Sequence, residues 1–258
     1  LRDEGRTEEV AAVHQELLQR GIVDDALQRS LLRSCPTSEE QRALVLQRVE
    51  KGLLPDIIDA SIMLGQLQIE ARTDEVPELL ESMDRWGIER DERFESALNR
   101  SEQEIRQMQT TELSRLLDGS GHSRRVAGAL FDTLCARRLA DEHHLGVMLL
   151  AQSSGDEQRA LAEQAEQAGV TLGAPTFTLL QGTMQFEGRT EEMEALQQEM
   201  AQRGIQPNER TESVLARSGE LLSKMRTARL VGLLKEGETR LAWELFDGLL
   251  ERGLADKY

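Results

Sequence analysis

The chain has 258 residues, a formal net charge of −16 and 30% charged residues, with only 3% aromatic residues and five prolines. The negative charge opposes non-specific attraction to phosphate backbones and anionic membranes, and the apolar runs are far shorter than the roughly 20 residues that span a bilayer. Two cysteines, Cys35 and Cys135, lack metal-type or redox-type spacing, which disfavours a disulfide scaffold and favours a reducing compartment. Residues with high helix propensity dominate, so we predict an all-α protein.

One phrase recurs along the chain: a threonine, acidic residues, an amphipathic stretch, and a glycine followed by an aliphatic residue. Its strongest copies are residues 5–25, 71–91 and 188–208. The threonines Thr7, Thr73 and Thr190 suit helix N-termini. The closing glycines suit left-handed helix ends. They are Gly21, Gly52, Gly87, Gly169, Gly204 and Gly253, with Arg138 in place of one glycine.

The phrase divides the chain into about seven helix-turn-helix units. They are a partial unit at 1–25, then 26–56, 57–91, 92–142, 143–173, 174–208 and 209–258. An offset of 117 positions, as from Gly87 to Gly204, aligns residues 38–110 with their later counterparts without a gap. We therefore predict one solenoid, residues 1–258, built as a duplicated three-unit block. The first unit is short, so we expect the protein to extend further in that direction.

The units differ in the predicted length of their first helices. Units 26–56 and 143–173 leave room for only a short first helix, whereas residues 92–119 and 209–236 read as long first-helix regions. Second helices carry the recurring phrase and end at its glycine. Trp86 and Trp243 fall in second helices, where packing is the expected role.

Residues 174–208 resemble a complete pentatricopeptide repeat. Phe177 takes the place of an early aromatic, Gly188-Arg189 matches the inter-helix turn, and residues 204–208 (GIQPN) match the closing phrase. Residues 57–91 fit the same frame with Ala60 in place of the aromatic. The resemblance implies a right-handed α-solenoid whose first helices line a groove, and a mitochondrial or plastid location.

The same resemblance implies candidate base-reading residues, because members of that family read one RNA base with each unit. The two positions are the residue after the early aromatic and the final residue of the motif. Carried over, they give Thr178 with Asn208, an adenine-type pair, and Ser61 with Asp91, a guanine-type pair. The implied partner is single-stranded RNA, and the implied role lies in organellar RNA metabolism or translation.

The charges of these units keep a second hypothesis open. Residues 57–70 and 174–187 contain no lysine or arginine, although an RNA-binding groove needs cations near the phosphates. Arginines in the long first-helix regions are expected to be solvated or paired within their helices. The alternative is an acidic scaffold that binds protein subunits of a large organellar complex.

Other patterns argue against catalysis and against a bound cofactor. Adjacent His143 and His144 cannot chelate a metal from one helix face, and residues 118–121 (DGSG) lack the strand and lysine of a phosphate loop. We interpret that segment as an inter-helix turn. No nucleophile-and-base set is suggested by spacing. We predict a non-enzymatic binding protein with no cofactor, no metal, no membrane segment and no small-molecule substrate.

Overall fold

The computed structural model describes residues 25–35, 37–119, 121–235 and 237–254. These residues form fourteen α-helices and one short 3-10 helix, with no strand among them. The helices are α1 (Asp25–Ser34), α2 (Ser38–Glu50), α3 (Ile57–Ile69), α4 (Val76–Trp86), α5 (Glu92–Leu98), α6 (Glu102–Leu117), α7 (Gly121–Ala136), α8 (Glu142–Leu150), α9 (Gly155–Gln167), α10 (Ala174–Glu187), α11 (Thr190–Gln202), α12 (Glu209–Leu215), α13 (Gly219–Lys235) and α14 (Thr239–Glu251).

The predicted all-α helix-turn-helix fold is confirmed. Helices pair as hairpins, and first helices pack side by side: α3 contacts α1 and α5, and α10 contacts α8 and α12. The short first helices are present as α1, with 10 residues, and α8, with 9 residues. Since each first helix also packs on its own second helix, each hairpin buries its apolar face against a neighbour.

The helix-ending positions are also confirmed wherever the structure describes them. Five of the predicted glycines have positive φ, and Arg138 takes the same left-handed conformation at φ 57. Ala71 is a second non-glycine residue of this kind, with φ 59. Gly21 and Thr7 lie outside the described residues. The recurring phrase therefore encodes a backbone conformation, with glycine as its usual but replaceable occupant.

The predicted capping threonines are wrong for Thr73 and Thr190. Neither side chain accepts a hydrogen bond at its helix start, and the N-cap positions belong to Arg72 and Arg189. The guanidinium groups of these arginines bond acidic residues three positions later, Glu75 at 2.5 Å and Glu192 at 2.6 Å.

The two long first-helix regions are each broken into two helices. Residues 92–119 form α5 and α6, and residues 209–236 include α12 and α13. A new helix starts at Ser101, whose hydroxyl accepts from the backbone of Glu104 while the Glu104 carboxylate accepts from Ser101. This capping box satisfies the amides of a helix start within the stretch.

The described residues fall into two compact units, divided between Leu139 and Ala140. We call them the first block, which contains α1–α7, and the second block, which contains α8–α14. In the first block a core cluster gathers Leu32, Val45, Leu64, Met83 and Phe94, with Trp86 packed against it. Trp243 is 60% exposed, so the packing role expected for it is wrong. The single seven-unit solenoid stays a prediction.

Candidate binding surface

The exposed face of α3 and the corresponding face of α10 carry apolar stripes. The first stripe is Ile58, Ile62, Gly65 and Ile69, and the second stripe is Pro175, Leu179, Gly182 and Phe186. Their spacing of four, three and four residues places each set on one helix face. All eight residues, of which two are glycines, are at least partly exposed, and none is charged. The exposed faces of these two helices therefore carry no lysine or arginine.

In the second block the uncharged surface is wider than in the first. Val147 and Leu150 lie three residues apart on α8, which packs beside α10, with the exposed polar residue His143 one turn before them, and Leu150 is 69% exposed. The position that corresponds to Leu150 in the first block is Arg33, which is also exposed. Two neighbouring first helices of the second block therefore present one apolar surface.

The structure brings Thr178 and Asn208 together through Thr211. The Thr178 hydroxyl lies 2.7 Å from the Thr211 hydroxyl, which donates to Asn208 Oδ1 at 3.1 Å. Thr178 is only 3% exposed, and its hydroxyl also lies 2.7 Å from the carbonyl oxygen of Ala174, so that its single proton is shared between this carbonyl and the Thr211 hydroxyl. Asn208 is exposed and caps α12 by accepting from the backbone amide of Thr211. Of this candidate pair, Asn208 alone faces solvent.

Ser61 and Asp91 occupy the same places in the first block without a hydroxyl link. Phe94 stands where the second block has Thr211, and it is fully buried. Ser61 is half-buried and donates to the carbonyl oxygen of Ile57 at 2.7 Å. Asp91 is exposed and caps α5 by accepting from the backbone amide of Phe94 at 2.7 Å. Both final-residue candidates, Asn208 and Asp91, are thus helix N-caps in the structure.

Arginines of the broken first-helix regions have three different environments. Arg106 pairs with Glu102 within its helix, as expected. Arg226 is instead 8% exposed and donates to the carbonyl oxygens of Phe186 and Gln185, which end α10. Arg93 and Arg210 are exposed, correspond to each other, and have no ion-pair partner among the described residues. These two lie next to the capping residues Asp91 and Asn208.

Successive hairpins are linked by a carboxylate network that occurs in both blocks. Glu70, after α3, accepts from the backbone amide of Ser38 at 2.6 Å, and Glu187 accepts from that of Gly155 at 2.8 Å. Each carboxylate thereby satisfies the start of the preceding second helix. Arg189 adds a bond to Asp156 at 2.6 Å. The hydrogen bond that Arg189 donates to Glu192 outweighs desolvation and raises the pKa of the Arg189 guanidinium above its usual range.

His143, His144 and the two cysteines lie on helices or directly after one. His144 is fully buried and lies 2.8 Å from the carboxylate of Asp141, the N-cap of α8, while His143 is exposed. Cys35 is half-buried and Cys135 is buried, and neither forms a disulfide. Across the residues that the structure describes, no group of three His, Cys, Asp or Glu side chains could hold a metal ion.

None of the described helices is both long and apolar enough to cross a bilayer.

Comparison with known proteins gives structural likeness only. No family model and no curated protein matches the chain. Among solved structures, the pentatricopeptide repeat protein PPR10 in complex with an 18-nucleotide psaJ RNA element is 18% identical over 97% of this chain, with a TM-score of 0.36. PPR10 from maize is 17% identical over 96% of this chain, with a TM-score of 0.33. The chain spans 42% of the length of these structures. The chain, whose described residues form helical hairpins, is similar to these pentatricopeptide repeat structures.

Proposed function

We propose that the chain is a non-catalytic helical-repeat module that binds a protein through the first helices of its second block. The observation that carries the proposal is the uncharged surface formed by α8 and α10, with Leu150 69% exposed. Apolar surface at the centre of an interface gains free energy when water is excluded from it. The net charge of −16 favours a basic partner, which it attracts before contact.

The experiment compares the wild-type chain with Leu150→Arg and Pro175→Arg, both at exposed positions. Leu150→Arg introduces the residue that the first block has at the same place. Each chain is immobilised and exposed to an extract of the cells that make it, and bound proteins are located by cross-linking. The expected result is a basic protein cross-linked beside α8 and α10 and lost from both variants. Leu46→Glu, on the exposed face of the second helix α2, is the control and retains the partner.

A protein that stays bound to both arginine variants would contradict the proposal. So would a partner that is lost equally from the Leu46→Glu control. In each case the apolar surface would not be the binding site.

Single-stranded RNA is the second candidate partner. Four exposed positions favour it: the capping residues Asp91 and Asn208, each beside an arginine, Arg93 or Arg210. Two such cations per chain contribute a small share of phosphate neutralisation. Retention of pooled single-stranded RNA at low salt, lost in the Arg93→Glu/Arg210→Glu variant, would establish this function. No retention by the wild-type chain would remove it.

The organellar location belongs to the proposal as well. It rests on the resemblance of residues 174–208 to a pentatricopeptide repeat. Antibody detection in purified mitochondria and plastids tests it, and recovery outside both organelles would contradict it.

A further inference from the structure

The two blocks contain a cavity at the same position. The first cavity, of about 240 Å³, lies between the end of α3 and the hairpin α6–α7, and the second, of about 310 Å³, lies between the end of α10 and the hairpin α13–α14. Residues 117 positions apart line them, or 115 apart after the short deletion near residue 120. Each cavity begins where an apolar stripe ends, at Ile69 and at Phe186. The position has therefore been retained in both copies of the duplicated block.

The first cavity combines an apolar floor with an acidic rim. Leu116 and Leu130 are 5% and 8% exposed and form the floor beside Ile69. Glu39, Glu70 and Glu112 line the same space, with Arg72 as the only basic lining residue among those described. Apolar floor and acidic rim together suit a side chain with an aliphatic stem and a cationic head.

The acidic rim has capacity for an incoming cation. Glu39 has 76% of its side chain exposed, and one of its oxygens lies 3.1 Å from Arg72. Glu112 has 19% of its side chain exposed, and both of its oxygens accept from Arg115 on the same helix, one of them at 2.7 Å. A carboxylate has about four acceptor sites, so neither residue is saturated by one guanidinium. The head group of a bound arginine can thus reach two carboxylates without displacing an existing partner.

The second cavity differs from the first in its charged residues. Arg229 stands where the first cavity has Glu112, and it has no ion-pair partner in the described part of the chain. Arg189 and Arg252 line the same cavity together with four carboxylates, Asp156, Glu157, Glu187 and Glu244, whereas three carboxylates and one arginine line the first cavity. Its floor is retained as Leu233 and Leu245. The shape is therefore shared by the two blocks, whereas the attraction for a cation is reduced in the second.

We propose that the first cavity receives an arginine or lysine side chain of the partner protein, and that the second cavity rejects one because of Arg229. This inference rests on the proposed function in taking the partner to be a basic protein; the cavity itself lies in the first block, outside the α8–α10 surface. The charge of the rim selects a basic segment of the partner, in agreement with the net charge of −16. The first block therefore binds a basic side chain in its cavity and the second block does not, although their helices correspond.

The experiment uses the whole chain with labelled leucine and isoleucine methyl groups, observed by NMR. The probe is the capped tripeptide Leu-Arg-Leu, and the control probe is Leu-citrulline-Leu, which has nearly the same shape and no charge. The arginine peptide is expected to shift the methyl signals of Ile69, Leu116 and Leu130 and to leave those of Leu233 and Leu245 in place. The citrulline peptide is expected to bind about fivefold more weakly or worse, a loss typical of one charge pair.

Two reciprocal substitutions give each cavity the residue of the other at the equivalent positions Glu112 and Arg229. Glu112→Arg is expected to abolish the shifts at the first cavity, and Arg229→Glu to create them at the second. Glu112→Gln, which keeps the size of the side chain, is expected to weaken binding about fivefold and serves if the reversal disturbs α6. Circular dichroism of each variant verifies that the helices are intact.

Equal binding of the two peptides, equal shifts in both cavities, or no shift at all would overturn the inference. The proposed function has a separate readout, the partner lost from Leu150→Arg. If that loss is observed while the peptide fails to bind, the cavity inference alone is wrong. If the peptide binds while no partner depends on Leu150, the proposed function is wrong and the cavity remains a cation site.

Discussion

The two blocks share a backbone plan but differ in the side chains that stabilise it. Helices α1–α7 correspond in order to α8–α14, including both breaks in the long first-helix regions. Left-handed residues recur at equivalent places, as at Ala71 and Gly188. Polar contacts, by contrast, differ between the blocks, and residues that contact one another in one block are replaced together in the other. The comparison indicates that helix boundaries constrain the repeat more tightly than the composition of its core.

The start of the central first helix shows one such exchange. Asp56 caps α3 and pairs with Arg29 from α1. The equivalent residues of the second block are Gly173 and Gly146, which can do neither. Glu142 accepts instead from the backbone amide of Gly173 at 2.7 Å and from Thr176. A carboxylate caps the helix in both blocks, but it comes from a different helix.

The buried contact between second and first helices shows another exchange. Arg48 and Asp59 form an ion pair at 3.0 Å, with side chains 6% and 2% exposed. The second block has Ala165 and Thr176 in their places, both buried. It also has the larger Phe177 where the first block has Ala60. A charged pair and an apolar ring are therefore alternative fillings of the same repeat.

The largest expected effect comes from breaking the buried pair on one side. Arg48→Ala leaves Asp59 buried without its cation, which costs about 3–5 kcal/mol of unfolding free energy. The double variant Arg48→Ala/Asp59→Thr, which copies the second block, is expected to recover most of this loss. Hydrogen exchange of α2–α3 peptides measures it, and α9–α10 peptides are the internal control. Equal losses in the single and double variants would show that packing volume, rather than the unpaired charge, sets the cost.

The next largest change in unfolding free energy is expected at the cap of α10. The test is whether Gly173→Asp destabilises the wild-type chain but stabilises the Glu142→Ala variant. Glu142→Ala removes the acceptor of the Gly173 amide and costs about 2 kcal/mol. Gly173→Asp alone is destabilising, because the new carboxylate would repel that of Glu142, which lies 2.8 Å from the new Cβ and has to give up its bond to the Gly173 amide. In the Glu142→Ala background the same substitution supplies a cap of the kind that α3 has, and it is expected to stabilise. Urea unfolding of the four chains measures the change of sign; its absence would contradict the exchange of caps.

A smaller loss of stability is expected at the left-handed residue that follows α3 in the first block and α10 in the second. Gly188→Ala costs about 1–2 kcal/mol from backbone conformation, with added crowding because the new Cβ would lie 2.0 Å from Leu254 Cδ1. The first block already has alanine there, buried at Ala71. Thermal unfolding of Gly188→Ala with and without Leu254→Ala separates crowding from strain. No improvement in the double variant would leave strain as the whole effect.

Local signals explain how far the sequence predicts this fold. The glycines mark helix ends because the left-handed conformation is a local requirement. The helix break at Ser101 also has a local signal, a serine followed three residues later by glutamate, which was concealed by the surrounding helix-favouring residues. The Arg48–Asp59 pair has no such signal, because its residues lie on different helices and meet only after the hairpin has packed.

The candidate site was predictable in position but not in exposure. The motif frame places Asn208 and Asp91 at the ends of repeats, and the structure has both exposed at helix starts. Thr178 occupies the predicted helix position, yet its hydroxyl is taken up by Thr211 on the next first helix. Burial of this kind depends on how closely neighbouring first helices pack, and a motif frame carries no information about that distance.

The smallest expected effect also separates the two candidate partners. Asn208→Ala removes the cap of α12 and costs about 1 kcal/mol, whereas Asn208→Asp keeps the acceptor for the Thr211 amide and is expected to change stability by less than about 0.5 kcal/mol. Asp91 is the residue at this place in the first block. Because stability is retained, any change in binding by Asn208→Asp reports the ligand directly. Protein binding through α8 and α10 should be unaffected, while base reading should lose its preference for adenine in a comparison of homopolymeric RNAs.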